Sequence, residues 1–336
     1  MKNITLHNTG IHTTRIGFGC AGLMRLSTRR ERLAVLGAAY DAGIRHFDVA
    51  RMYGLGAAER ELGVFLRGRR DQVVVATKFG IATHGLVERL AWLQPLARAA
   101  IKALPRLRRV AQHGAEQLYQ PRHYRVDMAH ASLQKSLREL GTDHVDLLFL
   151  HEPTAQDVID AGMEQCLDDL VRKGDIRAYG IAGSFDRSGE LITSRERLCS
   201  VVQTDGDVLH RQAARKLDFM TRAVITFSPY AQALTLLADR LAADTNLCRS
   251  WSDQLGADFA NAETLPRFLL AYAYSANPSG VVLLSTSQPG RITTMARWLD
   301  EAMPSPDQIA DFVRLVDAAV GSPDAGTATA QRLNAQ

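Results

Sequence analysis

Residues 42–78 read AGIRHFDVARMYGLGAAERELGVFLRGRRDQVVVATK, and the parsing of this stretch decides the fold. Its opening, 44–48, alternates apolar and polar side chains as a half-buried strand does, and it ends on the carboxylate of Asp48. A glycine-containing loop then carries Tyr53. Residues 57–66 repeat apolar side chains at helical spacing, and 72–78 is a β-branched run that ends on the ammonium of Lys78. Strand, loop, helix and parallel strand make an α/β unit whose two strands expose their carboxyl ends on one side. Asp48, Tyr53 and Lys78 can therefore converge. Singly, each has an ordinary role, as a loop cap, a half-buried ring and a strand terminus. Jointly, an acid, a phenol and a cation at consecutive strand ends point to chemistry.

The chain has 336 residues, 46% of them hydrophobic and 23% charged, enough to bury a large core. Its formal net charge of +4 is too small to argue for nucleic acid or an anionic membrane as partner. Cys20, Cys166, Cys199 and Cys248 are widely spaced, so reduced thiols in a cytoplasmic protein are expected rather than a disulfide or zinc framework. No pair of histidines has convincing metal-ligand spacing. The N-terminus carries no apolar signal core, and no apolar run is long enough to span a bilayer.

Outward from the central stretch, residues 3–18 read as two short strands turning at Asn8-Thr9-Gly10. The second runs into GFGCAG at 17–22, literally the G-x-G-x-x-G of dinucleotide-binding folds. That motif requires a helix opening on the glycines, whereas here the helical pattern starts only near 27–28. Beyond Lys78, the segment 81–125 is helix-compatible, basic and punctuated by Pro95, Pro105 and Pro121. It reads either as an inserted helical segment rimming a substrate opening or as a surface excursion. The alternation resumes with a helix over 127–140 ending at Gly141, a buried-type strand over 145–150 and, immediately beyond it, His151. Helices are then expected over 155–172, 188–197 and 209–220, with strands over 176–181, 200–204 and 223–227. A mostly helical stretch over 236–276 leads to a last strand at 281–285 and two closing helices ending near 320. Counted from the strand at 14–18, eight strands alternate mostly with helices, the pattern of a closed (β/α)8 barrel. We expect a single domain over 1–320 and a disordered tail over 321–336.

With those elements laid out, the chain resembles the aldo-keto reductases over roughly 1–320. GIRHFDVARMYG at 43–54 is similar to the family's Asp-x-Ala-x-x-Tyr-Gly stretch, Lys78 matches the lysine ending its third strand, and DLLFLHEP at 146–153 matches the context of the histidine ending its fourth. The resemblance implies a TIM barrel closed at its bottom by an N-terminal hairpin. It implies interconversion of an aldehyde or ketone with its alcohol by hydride transfer from a nicotinamide cofactor, with Asp48, Tyr53, Lys78 and His151 as the catalytic tetrad. Hydride transfer to a carbonyl leaves an alkoxide that needs a proton, so a general acid must stand at the carbonyl oxygen. A tyrosine, with an ordinary pKa of about 10, is weak in that role unless an ammonium stabilises its phenolate. Tyr53 would be the acid, Lys78 its tuner, Asp48 the anchor of Lys78, and His151 the group that orients the carbonyl.

On the cofactor side, the resemblance implies Gln203 as a carboxamide ligand and Phe227 as the ring stacked on the nicotinamide. The family's Ser-Asn pair after the fifth strand is Ala182-Gly183 here, with Ser184 in place to supply one of its hydrogen bonds. Ser228 and Tyr230 fall in the loop resembling the pyrophosphate cover, and Ser285, Thr286 and Arg291 in the adenosine-phosphate segment, where Ser285 replaces the usual lysine. Arg291 can grip a 2′-phosphate bidentately, so NADPH is expected ahead of NADH. The alternatives are a catalytically silent cofactor-binding regulatory subunit and a TIM-barrel lyase or isomerase without net redox. The substrate and the oligomeric state are not legible.

Overall fold

The computed structural model describes residues 1–81, 124–218 and 222–321. Strands β1 (Asn3–Leu6) and β2 (Ile11–Thr14) form an antiparallel hairpin, with Asn8 and Gly10 at positive φ in its turn. The second hairpin strand does not run on into the glycines. It stops at Thr14, and after Arg15 the chain starts β3 (Ile16–Gly19), the first barrel strand. At Arg15 the backbone changes partner, its N–H donating to the Lys2 carbonyl at 2.9 Å and its carbonyl accepting from Val282 N at 2.8 Å, while its side chain donates to the carbonyls of Tyr274 and Asn277 at 2.7 and 2.6 Å.

The remaining barrel strands are β4 (His46–Asp48), β5 (Val74–Phe79), β6 (Val145–His151), β7 (Ile176–Ala182), β8 (Val201–Asp205), β9 (Ala223–Phe227) and β10 (Val281–Leu284). They close in the order β10-β3-β4-β5-β6-β7-β8-β9, all parallel, with β9 returning to β10. This is the expected (β/α)8 architecture with its N-terminal hairpin.

Alternation along each strand sorts the side chains into two cores. Inward residues such as Val74, Ala76, Leu147, Phe149 and Leu283 fill the barrel, and Leu6 and Ile11 of the hairpin join them from the bottom. Outward residues such as Phe18, Phe47, Val75, Leu148 and Val202 meet the helices. Among the described residues, the helices before the fourth barrel strand are α1 (Arg29–Asp41), α2 (Ala57–Leu66) and α3 (Val126–Leu140). Helix α1 starts where Thr28 and Glu31 form a reciprocal capping box, and α3 ends at Gly141 in the left-handed region. Next come α4 (Met163–Lys173), α5 (Phe185–Ser194) and the short α6 (Gln212–Lys216).

The stretch expected as mostly helical over 236–276 is three helices, α7 (Ala231–Ala243), α8 (Thr245–Leu255) and α9 (Thr264–Ala276). Asp244 caps the start of α8 through two backbone N–H groups, and Gly256 ends it. Helices α10 (Pro289–Asp300) and α11 (Pro306–Val320) close the chain. Of the basic segment 81–125, only Ile81, Tyr124 and Arg125 are described, so the expected rim lies outside the described residues, as does the tail beyond Gly321. No helix among the described residues is long and apolar enough to cross a membrane.

Candidate active site

The carboxyl ends of the barrel strands open on a cavity of about 640 Å³. Strand register explains what gathers there. Asp48 pairs with Ala76, so Lys78, two residues further along β5, faces the same side one level higher and reaches back to the carboxylate. His151 pairs with Ala182, and Ala182 with Gln203, which sets the histidine and the carboxamide at one level. The strand β6 includes His151 as its last residue instead of stopping before it.

Lys78 Nζ donates to Asp48 Oδ1 and Oδ2 at 2.6 and 2.7 Å and to the Val49 carbonyl at 3.2 Å, and lies 3.5 Å from the Tyr53 hydroxyl. Both members of the ion pair are buried, at 3% residue exposure each. Burial works against the ammonium, but Asp48 and then Tyr53 outweigh it and hold the lysine pKa above its ordinary value. Tyr53 is partly buried and lines the cavity.

Burial therefore pushes the Tyr53 pKa up; Lys78 pulls it back down, Asp48 adds to the rise, and the net direction is upward. The expectation of a phenol lowered by its lysine is thus corrected: burial outweighs the downward pull of Lys78, and Asp48 adds to the rise. A phenol held up in this way is fully protonated at neutral pH, the state a proton donor needs. The His151 ring meets the Tyr53 ring edge-on, with centroids 6.0 Å apart.

Gln203 Nε2 donates to Asp48 Oδ2 at 2.9 Å, so this residue also helps to fix the anchor of Lys78. Its Oε1 is buried and has no hydrogen-bond partner among the described residues. Phe227, Ser228, Tyr230 and Ser285 line the same cavity, and Ser228 takes a positive φ of 56° at the start of its loop. The Tyr230 hydroxyl is a second buried group without a partner among the described residues, and burial raises its pKa.

Ser184, Thr286 and Arg291 do not line the cavity. Ser184 stands before α5 without capping it through its side chain, Thr286 Oγ1 accepts from Gln288 N at 3.1 Å, and Arg291 is exposed on the first turn of α10. Arg291 is nevertheless near enough to Tyr230 to draw its phenol pKa downward. At Gly183 the backbone is closely approached: a Cβ there would stand 2.3 Å from Ser188 Oγ and 3.2 Å from Glu152 Cα.

Several contributors were missed in the sequence. Cys20, buried at the end of β3, feels both Asp48 and Lys78, and its thiol pKa is pushed up by burial. Tyr124 donates its hydroxyl to the His151 carbonyl at 2.6 Å and so pins the histidine's backbone. Arg25 and Glu152 add a cation and an anion to the cavity wall. Glu152, which follows His151 directly, and Cys20, inside the glycine motif at 17–22, carried a signal; Tyr124 and Arg25 come from segments unrelated by spacing.

The model of the aldo/keto reductase family matches residues 15–317. Among curated proteins, a D-threo-aldose 1-dehydrogenase from a Pseudomonas species is 34% identical over 179 residues, covering 51% of this chain and 50% of that protein. The chain thus spans about half the length of the curated relatives it matches. Among solved structures, a glycerol dehydrogenase from Gluconobacter oxydans superposes with a TM-score of 0.70 at 18% identity, covering 97% of this chain and 98% of that one. An aldo-keto reductase from Klebsiella pneumoniae, solved in complex with NADPH, gives a TM-score of 0.61 at 21% identity, with 94% and 95% covered. The structural likenesses speak for the barrel, and the family model spans all eight of its strands and every strand end described above: this chain belongs to the aldo/keto reductase family.

Proposed function

We propose that this aldo/keto reductase interconverts an aldehyde or ketone with the corresponding alcohol by hydride transfer, with Tyr53 as the general acid and base. The observation that carries this reading is the single cluster of Tyr53, Lys78, Asp48 and His151 at the mouth of the barrel. A nicotinamide cofactor fits the residues present: the unpartnered Gln203 Oε1 is an acceptor for a carboxamide N–H, and Phe227 offers a ring to stack on. Tyr230 and the positive-φ turn at Ser228 would cover the diphosphate, and Arg291 would meet a 2′-phosphate, favouring NADPH. When bound, the reduced cofactor supplies the hydride.

The protein's own residues handle the proton and the charge. His151 orients the substrate carbonyl oxygen toward the phenol and polarises it. As charge grows on that oxygen, the Tyr53 O–H bond breaks and the new O–H bond of the alcohol forms. The resulting phenolate is stabilised by the Lys78 ammonium, which Asp48 keeps in place, and it regains a proton from solvent. Alcohol oxidation runs the same steps backward, with the phenolate as base. The relatives' names include an aldose dehydrogenase and a 6-dehydroglucose reductase, which supports a small, polar carbonyl compound as substrate.

The test is fluorescence titration with NADPH and NADH, followed by a panel of aldehydes and ketones monitored by nicotinamide absorbance. The proposal expects saturable NADPH binding and one alcohol formed per cofactor oxidised. Tight binding with no carbonyl reduced and no alcohol oxidised across the panel would contradict it.

A further inference from the structure

We propose that Glu59 is a positioning residue for the Tyr53–Lys78 pair: one buried carboxylate ties the loop carrying the phenol to the strand carrying the ammonium. The inference rests on the proposed roles of Tyr53 and Lys78. Glu59 is fully buried on the first turn of α2. Its Oε2 accepts from Arg51 Nη1 at 2.6 Å and its Oε1 from Thr77 Oγ1 at 2.7 Å. Arg51 lies two residues before Tyr53, and Thr77 immediately precedes Lys78 on β5. A carboxylate outside the cavity thus spans the two backbones whose side chains meet inside it.

The loop needs such a restraint. Directly after Tyr53, Gly54, Leu55 and Gly56 take φ of 59°, 57° and 89°, and for Leu55 this is a strained conformation that persists only where its surroundings impose it. The Arg51 guanidinium packs on Gly56, where a Cβ would come within 3.1 Å of Nη2. The same guanidinium that binds Glu59 therefore holds down the far end of the turn. Thr77 faces away from the cavity, where a barrel of this kind needs only an apolar β-branched residue to pack against helices. Its hydroxyl is spent on Glu59.

Charged groups around the clamp are Arg51 on the loop and Lys135 and Glu139 on α3. Those around the phenol are Lys78, Asp48, Cys20 and His151.

Removing Glu59 would take a buried carboxylate away from Arg51, and breaking a buried pair is strongly destabilising, so the informative variant is Thr77→Val, which keeps shape and removes one hydrogen bond. Wild type, Thr77→Val, Thr77→Ser and Tyr53→Phe are compared as full-length proteins loaded with NADPH. The readouts are the single-turnover rate on the best aldehyde of the panel, the alkaline limb of its pH profile and the NADPH Kd.

Thr77→Val is expected to slow the rate on the order of tenfold, less than the 10²-fold that a misplacement of about 1 Å can cost. It should move the alkaline limb upward as the phenol loses contact with Lys78, and leave the Kd unchanged. Thr77→Ser should restore both. A Thr77→Val protein with wild-type rate and pH profile overturns the inference, as does a loss that Thr77→Ser fails to restore. If Tyr53→Phe is inactive while Thr77→Val is unimpaired, only the clamp fails. An active Tyr53→Phe removes the assignment of the tetrad itself.

Discussion

His46 offers a stability test whose size can be worked from the structure. The ring lies inside the barrel on β4, fully buried, and neither Nδ1 nor Nε2 has a hydrogen-bond partner among the described residues. Burial pushes its pKa from the ordinary 6.5 down to about 4, against the pull of Asp48 and Asp146, which raise it. Well above pH 6.5 the ring is neutral in both folded and unfolded chains and contributes no pH dependence. Below that, the unfolded chain takes up a proton that the folded chain refuses, so stability falls as pH falls, at about 1.36 kcal/mol per pH unit, until the folded ring itself titrates. From pH 7.5 to 5 this one side chain should remove about 2 kcal/mol. Reversible urea unfolding of wild type and His46→Leu across that range isolates the effect, because carboxylates common to both largely cancel. At pH 7.5 the two should agree within about 1.5 kcal/mol, since an apolar replacement relieves unsatisfied nitrogens. Parallel stability curves between pH 7.5 and 5 would refute the reasoning.

Lys78→Met should slow carbonyl reduction and move the alkaline limb of its pH profile upward, because the phenolate loses the one charge that draws the Tyr53 pKa down; an unmoved limb would separate Lys78 from the proton donor. Arg291→Ala should weaken NADPH binding by about 1.5–3 kcal/mol while leaving NADH nearly unchanged, measured by fluorescence titration, and equal losses for both would remove Arg291 from the 2′-phosphate. Gly63→Ala, in the middle of α2, should destabilise despite the better helix propensity of alanine. Its Cβ would stand 2.5 Å from the Glu139 carbonyl and 2.7 Å from that of Leu140, so a raised urea midpoint would contradict this close approach of α2 and α3.

Much of the candidate site's arrangement was readable because three of its polar side chains end strands. The runs that finish on Asp48, Lys78 and His151 combine strong strand patterns with a terminal polar group, and parallel strands put all three at one end of the barrel. Helix ends were readable where capping chemistry is local, as at Thr28 and Gly141. The start of α4 was misread, since it begins at Met163 and not near 155. Asp157 accepts from Thr154 N and Thr154 Oγ1 in a turn, and Val158, the next residue, is 83% exposed, so apolar spacing there imitates a helix that does not form. The partition of 236–276 was missed although Asp244 and Gly256 both carry terminus signals. Contacts such as Glu59 with Thr77 or Tyr124 with His151 were out of reach, because nothing periodic relates their positions and only closure of the barrel brings them together.

The central claim is that Tyr53 delivers the proton in a nicotinamide-dependent carbonyl reduction and takes no part in holding the cofactor. Tyr53→Phe removes one hydroxyl and almost no volume, and in this site that hydroxyl contacts Lys78 at 3.5 Å while the ring keeps its edge-on packing with His151. The most direct measurement is the rate of aldehyde reduction by the Tyr53→Phe protein beside its NADPH Kd. The account predicts a rate lower by about 10²–10⁴-fold with a Kd within about threefold of wild type, or roughly 0.6 kcal/mol. A Tyr53→Phe protein that reduces the aldehyde at close to the wild-type rate would contradict it.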